Sequence, residues 1–175
     1  MKTQNFLMII ILLASVLVTS CDKIEDAKEF EFDATFEGYM DVYVPPEKGA
    51  VPFDAWASVD VTTHQQFMDN LDRIEELNIT SLTGTVDTIT KDITLNWAIL
   101  KAYSGDDTAK WEFYSLPITI GTVLTLGNAD GQWNTINNIV LSGNGYTVEL
   151  HGEASEGDVY WSLLIENTFK VKGKL

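Results

Sequence analysis

Carboxylates are the most abundant groups in this 175-residue sequence that could do chemistry, with 26 aspartates and glutamates against 11 lysines and arginines. A glycoside hydrolase would need two of them facing each other across a cleft, about 5 to 9.5 Å apart. Glu75 and Glu76 are neighbours on a predicted helix, where consecutive side chains diverge. Asp106 and Asp107 stand in the turn sequence SGDDT. Both pairs are therefore interpreted as solvated charge.

The two histidines are the other acid–base candidates. His64 falls in the first turn of a predicted helix, and His151 lies on the polar face of a predicted strand beside Glu149 and Glu153. Neither spacing matches a metal-ligand pair or a catalytic dyad, and the sequence lacks the H-E-x-x-H, G-x-S-x-G and G-x-x-x-x-G-K patterns. The NADG segment, residues 128–131, has no glutamate at the end of a calcium loop and is interpreted as a turn before a helix. The sequence therefore predicts no catalytic residue, no metal site and no cofactor.

Three aromatic side chains are candidates for binding a ligand. Alternation places Tyr39 and Tyr43 on the outward face of the first predicted strand, and Trp56 is out of phase with the buried set of the second. If these strands pair, the three rings form an exposed platform of the kind that stacks on sugar rings or docks a protein partner. The alternative interpretation is that the rings form cross-strand pairs or are covered by a helix.

The single cysteine, Cys21, ends the segment VTSC and cannot form an internal disulfide. It follows an apolar run over residues 6–18, which is shorter than the roughly 20 residues of a membrane span. The segment and its position resemble the lipobox of bacterial lipoproteins. The resemblance implies that residues 1–20 are a signal peptide and that Cys21 becomes the lipid-linked first residue of the mature protein. Two or more acyl chains give stable attachment to a membrane.

Residues 21–29 are acidic and without hydrophobic periodicity, and are interpreted as a tether between the anchor and the folded domain. The tether is similar to export signals of Bacteroidota lipoproteins, which implies the outer membrane, at the cell surface or on the periplasmic face. A formal net charge of −15 lacks the basic footprint of nucleic-acid binding and would be repelled by anionic lipid. The expected partners are the membrane, through the acyl chains on Cys21, and an envelope protein or a glycan.

Thr88 and Thr108 stand in two short tripeptides, DTI at residues 87–89 and DTA at residues 107–109. Both tripeptides resemble the pattern of aspartate, hydroxyl residue and apolar residue that Bacteroidota use for O-glycosylation of exported proteins. The resemblance implies that Thr88 and Thr108 carry glycans. Hexose-scale increments in the intact mass of the protein from its native host would reveal them.

Alternation of apolar and polar residues dominates residues 30–175, which are expected to form a single domain. The first two alternating runs, residues 30–44 and 53–61, flank the turn sequence PPEKGAVP and are predicted to pair as antiparallel strands. Five further runs, separated by turn sequences, cover residues 76–89, 93–103, 110–120, 146–155 and 159–173.

Two segments have helical spacing instead. Residues 62–77 carry a capping-box pattern at Thr63 and Gln66, followed by apolar residues three and four positions apart. Residues 130–140 repeat that spacing, with Asp130 as the predicted N-cap. About seven strands without a helical crossover after each predict an antiparallel β-sandwich, immunoglobulin-like or jelly-roll-like, with one or two short packing helices.

The order of elements looks like that of the small lipid-anchored β-sandwich lipoproteins of Bacteroidota, which are mostly of unassigned function. The resemblance implies a fold and a cellular address. We therefore expect a non-enzymatic, lipid-anchored envelope protein that acts as a binding or structural accessory. A carbohydrate-binding surface module for glycan capture is the first alternative, and a carboxylate-dependent glycoside hydrolase is the second.

Overall fold

The computed structural model describes residues 28–174, so the predicted signal peptide, Cys21 and most of the predicted tether lie outside the described residues. Within this range there are two α-helices, α1 (Gln65–Asn70) and α2 (Gln132–Leu141), and two 3-10 turns, Val61–Thr63 and Leu71–Arg73. The same range forms eight strands: β1 (Glu29–Val44), β2 (Val51–Val59), β3 (Ile74–Ile89), β4 (Ile93–Ser104), β5 (Asp107–Ile118), β6 (Val123–Thr125), β7 (Tyr146–Ala154) and β8 (Val159–Lys174).

The strands form two four-stranded antiparallel sheets packed against each other, which confirms the predicted β-sandwich. The first sheet has the order β1-β8-β3-β6 and the second has the order β2-β7-β4-β5. Each strand of the first half pairs with its mirror image in the second half, β1 with β8, β2 with β7, β3 with β6 and β4 with β5. This nesting is a long hairpin rolled into two sheets, which is the jelly-roll arrangement.

The predicted pairing of β1 with β2 is wrong, because the two strands belong to different sheets. The 16 residues of β1 pair along their whole length with the 16 residues of β8, whereas β2 has only nine. The chain therefore crosses between the sheets after β1. The two strands still meet across the sandwich at Gly38, where an added Cβ would lie 3.0 Å from the backbone carbonyl oxygen of Ser58. A glycine permits this close approach.

The core lies between the sheets, and the alternation expected from the sequence is confirmed along β1, β2 and β8. Trp161 of β8 is fully buried and contacts Phe53 of β2 edge to face, with ring centroids 6.4 Å apart. Asn167 is also fully buried, and its side-chain amide donates a hydrogen bond to the hydroxyl of Tyr146. Burial raises the pKa of the Tyr146 hydroxyl, so this polar pair stays neutral inside the core.

The first predicted helix, over residues 62–77, is wrong in its second half. Helix α1 has only six residues, and β3 begins at Ile74 because pairing with β8 takes the chain into the first sheet. The N-cap is His64 rather than Thr63, since the Nδ1 atom of His64 accepts a hydrogen bond from the backbone N–H of Phe67 at 3.2 Å. Tertiary pairing thus overrides the helical spacing of this segment.

Helix α2 confirms the second predicted helix, but its N-cap is Gly131 and not Asp130. Asn128 accepts a hydrogen bond from the backbone N–H of Trp133 at 2.9 Å, which satisfies one free donor of the first turn. The indole N–H of Trp133 donates to the backbone carbonyl of Leu126 at 2.8 Å. Helix α2 contributes three buried residues to the core, Ile136, Ile139 and Val140.

Among residues 28–174, no helix has the length and apolar character needed to cross a membrane.

Candidate functional site

The outer face of the first sheet carries three exposed tyrosines. Tyr39 and Tyr43 project from β1, and Tyr160 projects from β8 directly opposite Tyr43. Their side chains are 64%, 54% and 43% exposed, in that order. Asp41 lies between the two tyrosines of β1, directly opposite Ser162 of β8. We refer to these five residues as the tyrosine face.

Polar groups lie beside the rings of the tyrosine face. Hydrogen bonding to the Asp41 carboxylate, together with partial desolvation, raises the pKa of the Tyr160 hydroxyl. Ser162 shares a hydrogen bond with Thr88 of β3, with 2.8 Å between the two hydroxyl oxygens. Directly opposed residues have Cβ atoms about 5 Å apart, and residues four apart on one strand are separated by roughly 13 Å. Ser162 is buried beneath the face, so the face offers the three tyrosine rings with their hydroxyls and the carboxylate of Asp41 along an extended surface.

Trp56, the third residue of the predicted platform, lies elsewhere. It is 69% exposed but projects from the outer face of the second sheet, because β2 does not pair with β1. The structure therefore brings Tyr39 and Tyr43 together without Trp56 and adds Tyr160, which the sequence analysis missed. The alternation of β8 was a usable signal, because buried Trp161 follows Tyr160 and the two must point to opposite faces.

A carboxylate–histidine cluster occupies the outer face of the second sheet. It consists of Asp54 on β2 and of Glu149 and His151 on β7, with one ligand atom of each residue within 4.8 Å of the others. Asp54 is directly opposite His151, and Trp56 is directly opposite Glu149. The Oε1 atom of Glu149 lies 3.5 Å from Nδ1 of His151, and its Oε2 atom lies 3.7 Å from Nζ of Lys101.

The imidazole of His151 is held from one side by an aromatic neighbour. The indole of Trp97 packs edge to face against it, with ring centroids 5.9 Å apart and an interplanar angle of 76°. The Nδ1 atom of His151 is shielded from solvent and has no hydrogen-bond partner within residues 28–174. The sequence predicts His151 beside Glu149 on one strand face, which the structure confirms, whereas Asp54 comes from a strand far away in the chain and has no local signal.

A cleft of about 560 Å³ lies between β5 and α2. Thr108 and Trp111 of β5 and Gln132 of α2 line it. The indole N–H of Trp111 donates to the backbone carbonyl of Gly127 at 2.7 Å, and the side-chain amide of Gln132 donates to the backbone carbonyl of Lys110 at 3.3 Å. These polar groups hold α2 and the segment before it against β5.

The adjacent carboxylates singled out in the sequence lie on a strand and in a turn, and Glu75 and Glu76 line a cleft of about 430 Å³ together with Glu31. Glu75 and Glu76 lie in β3 rather than in a helix, and they pair with Lys174 at 2.8 Å and with Lys172 at 3.8 Å. The pair at residues 106–107 is exposed at the tight connection between β4 and β5. In each case the acidic groups are bound to lysines or exposed to solvent, as the interpretation of solvated charge requires.

The two predicted glycosylation sites are both exposed. Thr88 lies beside the tyrosine face, and Thr108 lies at the cleft between β5 and α2. Their modification stays a prediction. No protein-family model matches this chain, and no curated protein or solved structure is detectably similar to it.

Proposed function

We propose that this chain is a lipid-anchored, non-enzymatic binding protein of the cell envelope, and that its tyrosine face captures neutral glycans. The proposal rests on the clustered exposure of Tyr39, Tyr43 and Tyr160 on one sheet face. Single exposed apolar residues are common on protein surfaces, whereas clustered ones rimmed by polar groups are typical of binding sites. The anchor is supported by the lipobox resemblance that ends at Cys21.

A glycan fits the chemistry of the tyrosine face. Tyrosine combines an apolar ring, which can stack on the apolar face of a sugar, with a hydroxyl that donates and accepts hydrogen bonds. Asp41 adds an acceptor for sugar hydroxyls between the rings. Jelly-roll domains include lectins, which supports the ligand class by analogy of fold alone.

The negative charge of the chain favours neutral glycans over acidic ones. A formal net charge of −15 repels sulfated polysaccharides and polysaccharides that contain uronic acids. Stacking on aromatic rings does not need charge on the ligand. Neutral polysaccharides such as starch, xylan and galactomannan are therefore the expected ligands, and heparin and polygalacturonate are the expected non-ligands.

Retention of the full-length chain, purified in mild detergent, on immobilised polysaccharides tests the proposal. We expect retention by at least one neutral polysaccharide and by neither acidic one. Tyr43→Ala removes the ring that lies directly opposite Tyr160 and should weaken the retained interaction at least about tenfold, as loss of a dominant aromatic contact does. Tyr114→Ala is the matched control, because Tyr114 is 68% exposed on β5, away from the tyrosine face, and its loss should leave binding unchanged.

Other results of this experiment would contradict the proposal. If Tyr43→Ala leaves retention on the polysaccharide unchanged, the binding surface lies elsewhere than on the tyrosine face. Retention by no polysaccharide would favour a protein partner in the envelope, to be sought by crosslinking. Release of reducing sugar during incubation would favour the glycoside hydrolase.

The anchor has its own test. In cells that process lipoproteins, the wild-type chain should sediment with the membranes, because two or more acyl chains give stable attachment. Cys21→Ala removes the only thiol that could carry them and should move most of the protein to the soluble fraction. The control is Ser20→Ala, which keeps a small residue before the cysteine. Membrane association that survives Cys21→Ala would contradict the lipid anchor.

A further inference from the structure

We propose that Asp54, Glu149 and His151 bind a divalent transition-metal ion on the outer face of the second sheet, with Zn²⁺ as the ion that fits best. This site is separate from the tyrosine face. The glycan proposal neither needs the metal nor supplies it, so either proposal can fail alone.

The strand register builds the cluster. Asp54 and His151 are direct cross-strand neighbours, and Glu149 lies two residues before His151 on the same face of β7. The Nδ1 atom of His151 and the Oε1 atom of Glu149 are already 3.5 Å apart. Two ligand atoms that are each about 2.1 Å from a tetrahedral zinc ion are separated by roughly 3.4 Å. Asp54 is exposed and has a ligand atom within 4.8 Å of the other two, so a small rotamer change would complete the set.

The surroundings of the His151 nitrogen fit a metal ligand, although the side chain as a whole is 23% exposed. Its Nδ1 atom is shielded from water and lacks a hydrogen-bond partner among the described residues. Shielded polar atoms without partners are uncommon in native structures. A metal ion between Nδ1 and the two carboxylates would satisfy this atom. Packing of Trp97 against the imidazole holds the ring in that orientation.

The donor set favours zinc over calcium and magnesium. One imidazole nitrogen and two carboxylates are ligands that zinc accepts, whereas calcium and magnesium prefer oxygen ligands alone. The two carboxylates balance the charge of a divalent ion. The ion pair with Lys101 involves the Oε2 atom of Glu149, at 3.7 Å, whereas Oε1 is the atom that faces His151. Three protein ligands leave at least one coordination position for water or an external ligand.

Isothermal titration calorimetry tests the site. The full-length, untagged chain is titrated with ZnCl₂ in mild detergent. Excess MgCl₂ in the buffer occupies weak sites on the acidic surface. We expect one zinc ion per chain to bind above this background. His151→Ala and, separately, Asp54→Asn should each weaken that binding by at least about tenfold, the lower end of what loss of even a supporting contact costs a metal site.

The other histidine supplies the matched control. His64→Asn removes an imidazole but keeps a side chain that can cap α1, so zinc binding should be unchanged. Asp54 is exposed, and Asp54→Asn keeps its size, so that variant tests the site even if His151→Ala does not fold. Absence of zinc binding in the wild-type chain, or binding that Asp54→Asn leaves unchanged, would overturn the proposal. An equal loss of zinc binding in the His64→Asn and His151→Ala variants would also overturn the proposal.

Discussion

The two outer faces of this jelly roll rest on one core but present different chemistry. The tyrosine face combines β1, an edge strand of the first sheet, with its neighbour β8, and the carboxylate–histidine cluster combines β2, an edge strand of the second sheet, with its neighbour β7. The nesting of the strands makes these positions equivalent in the fold. One position displays aromatic rings and hydroxyls, and the other displays carboxylates and an imidazole. The fold therefore provides two outer sheet surfaces, and the outward side chains decide what each can bind.

Cross-strand register matters as much as residue type on both faces. Tyr43 meets Tyr160, and Asp54 meets His151, because each pair is directly opposed in its ladder. A shift of one residue in either ladder would turn the whole outward set of one strand toward the core. The geometry of each candidate site therefore depends on the register of the two strands that carry it.

The largest effect should come from the core that both faces share. Trp161→Ala would empty the space of a fully buried indole that packs against Phe53 of the opposite sheet. We expect a loss of about 3–5 kcal/mol in the free energy of unfolding, measured by chemical denaturation. Tyr160→Ala, one position earlier but facing outward, should change stability by about 0.5 kcal/mol or less.

The difference in unfolding free energy between these two variants tests whether the tyrosine face is independent of the core. A similar loss of stability in both variants would mean that the tyrosine face is part of the packed structure rather than a free surface. A stable Trp161→Ala variant would show that the two sheets do not depend on this contact.

A smaller and more local effect is expected at Gly152 of β7, beside His151. An added Cβ there would lie 2.4 Å from the backbone carbonyl oxygen of Trp97 on β4, so the two strands would have to shift apart. Gly152→Ala should cost about 1–3 kcal/mol, as overpacking does. Because the shift falls in the second sheet, zinc binding should weaken while glycan retention persists. Equal loss of both activities would show that the two faces are coupled.

Much of the fold could be predicted because alternation is a local property. The inward residues of β1 and β8 and the outward positions of Tyr39, Tyr43 and Trp56 all follow from period two. Partners of strands are not local. The short turn sequence after β1 favoured a hairpin with β2, whereas the full-length match to β8 decides the pairing.

Non-local strand pairing also explains why other predictions from the sequence were wrong or incomplete. Ile74 fits the spacing of a helix, but its backbone pairs with Gly173 at the far end of the chain. Asp54 and His151 carry no spacing that indicates a site, because a ladder and not a motif brings them together. The lipid on Cys21 and the place in the outer membrane stay predictions.

Hydroxyl-radical footprinting of the full-length chain tests most directly whether the tyrosine face is the glycan-binding surface. Oxidation of exposed aromatic side chains would be compared by mass spectrometry with and without the polysaccharide that the chain retains most strongly. We expect protection of Tyr39, Tyr43 and Tyr160, whereas Trp56 and Tyr114 should be labelled as before. Protection of Trp56 with the three tyrosines unchanged would contradict it and move the binding surface to the second sheet.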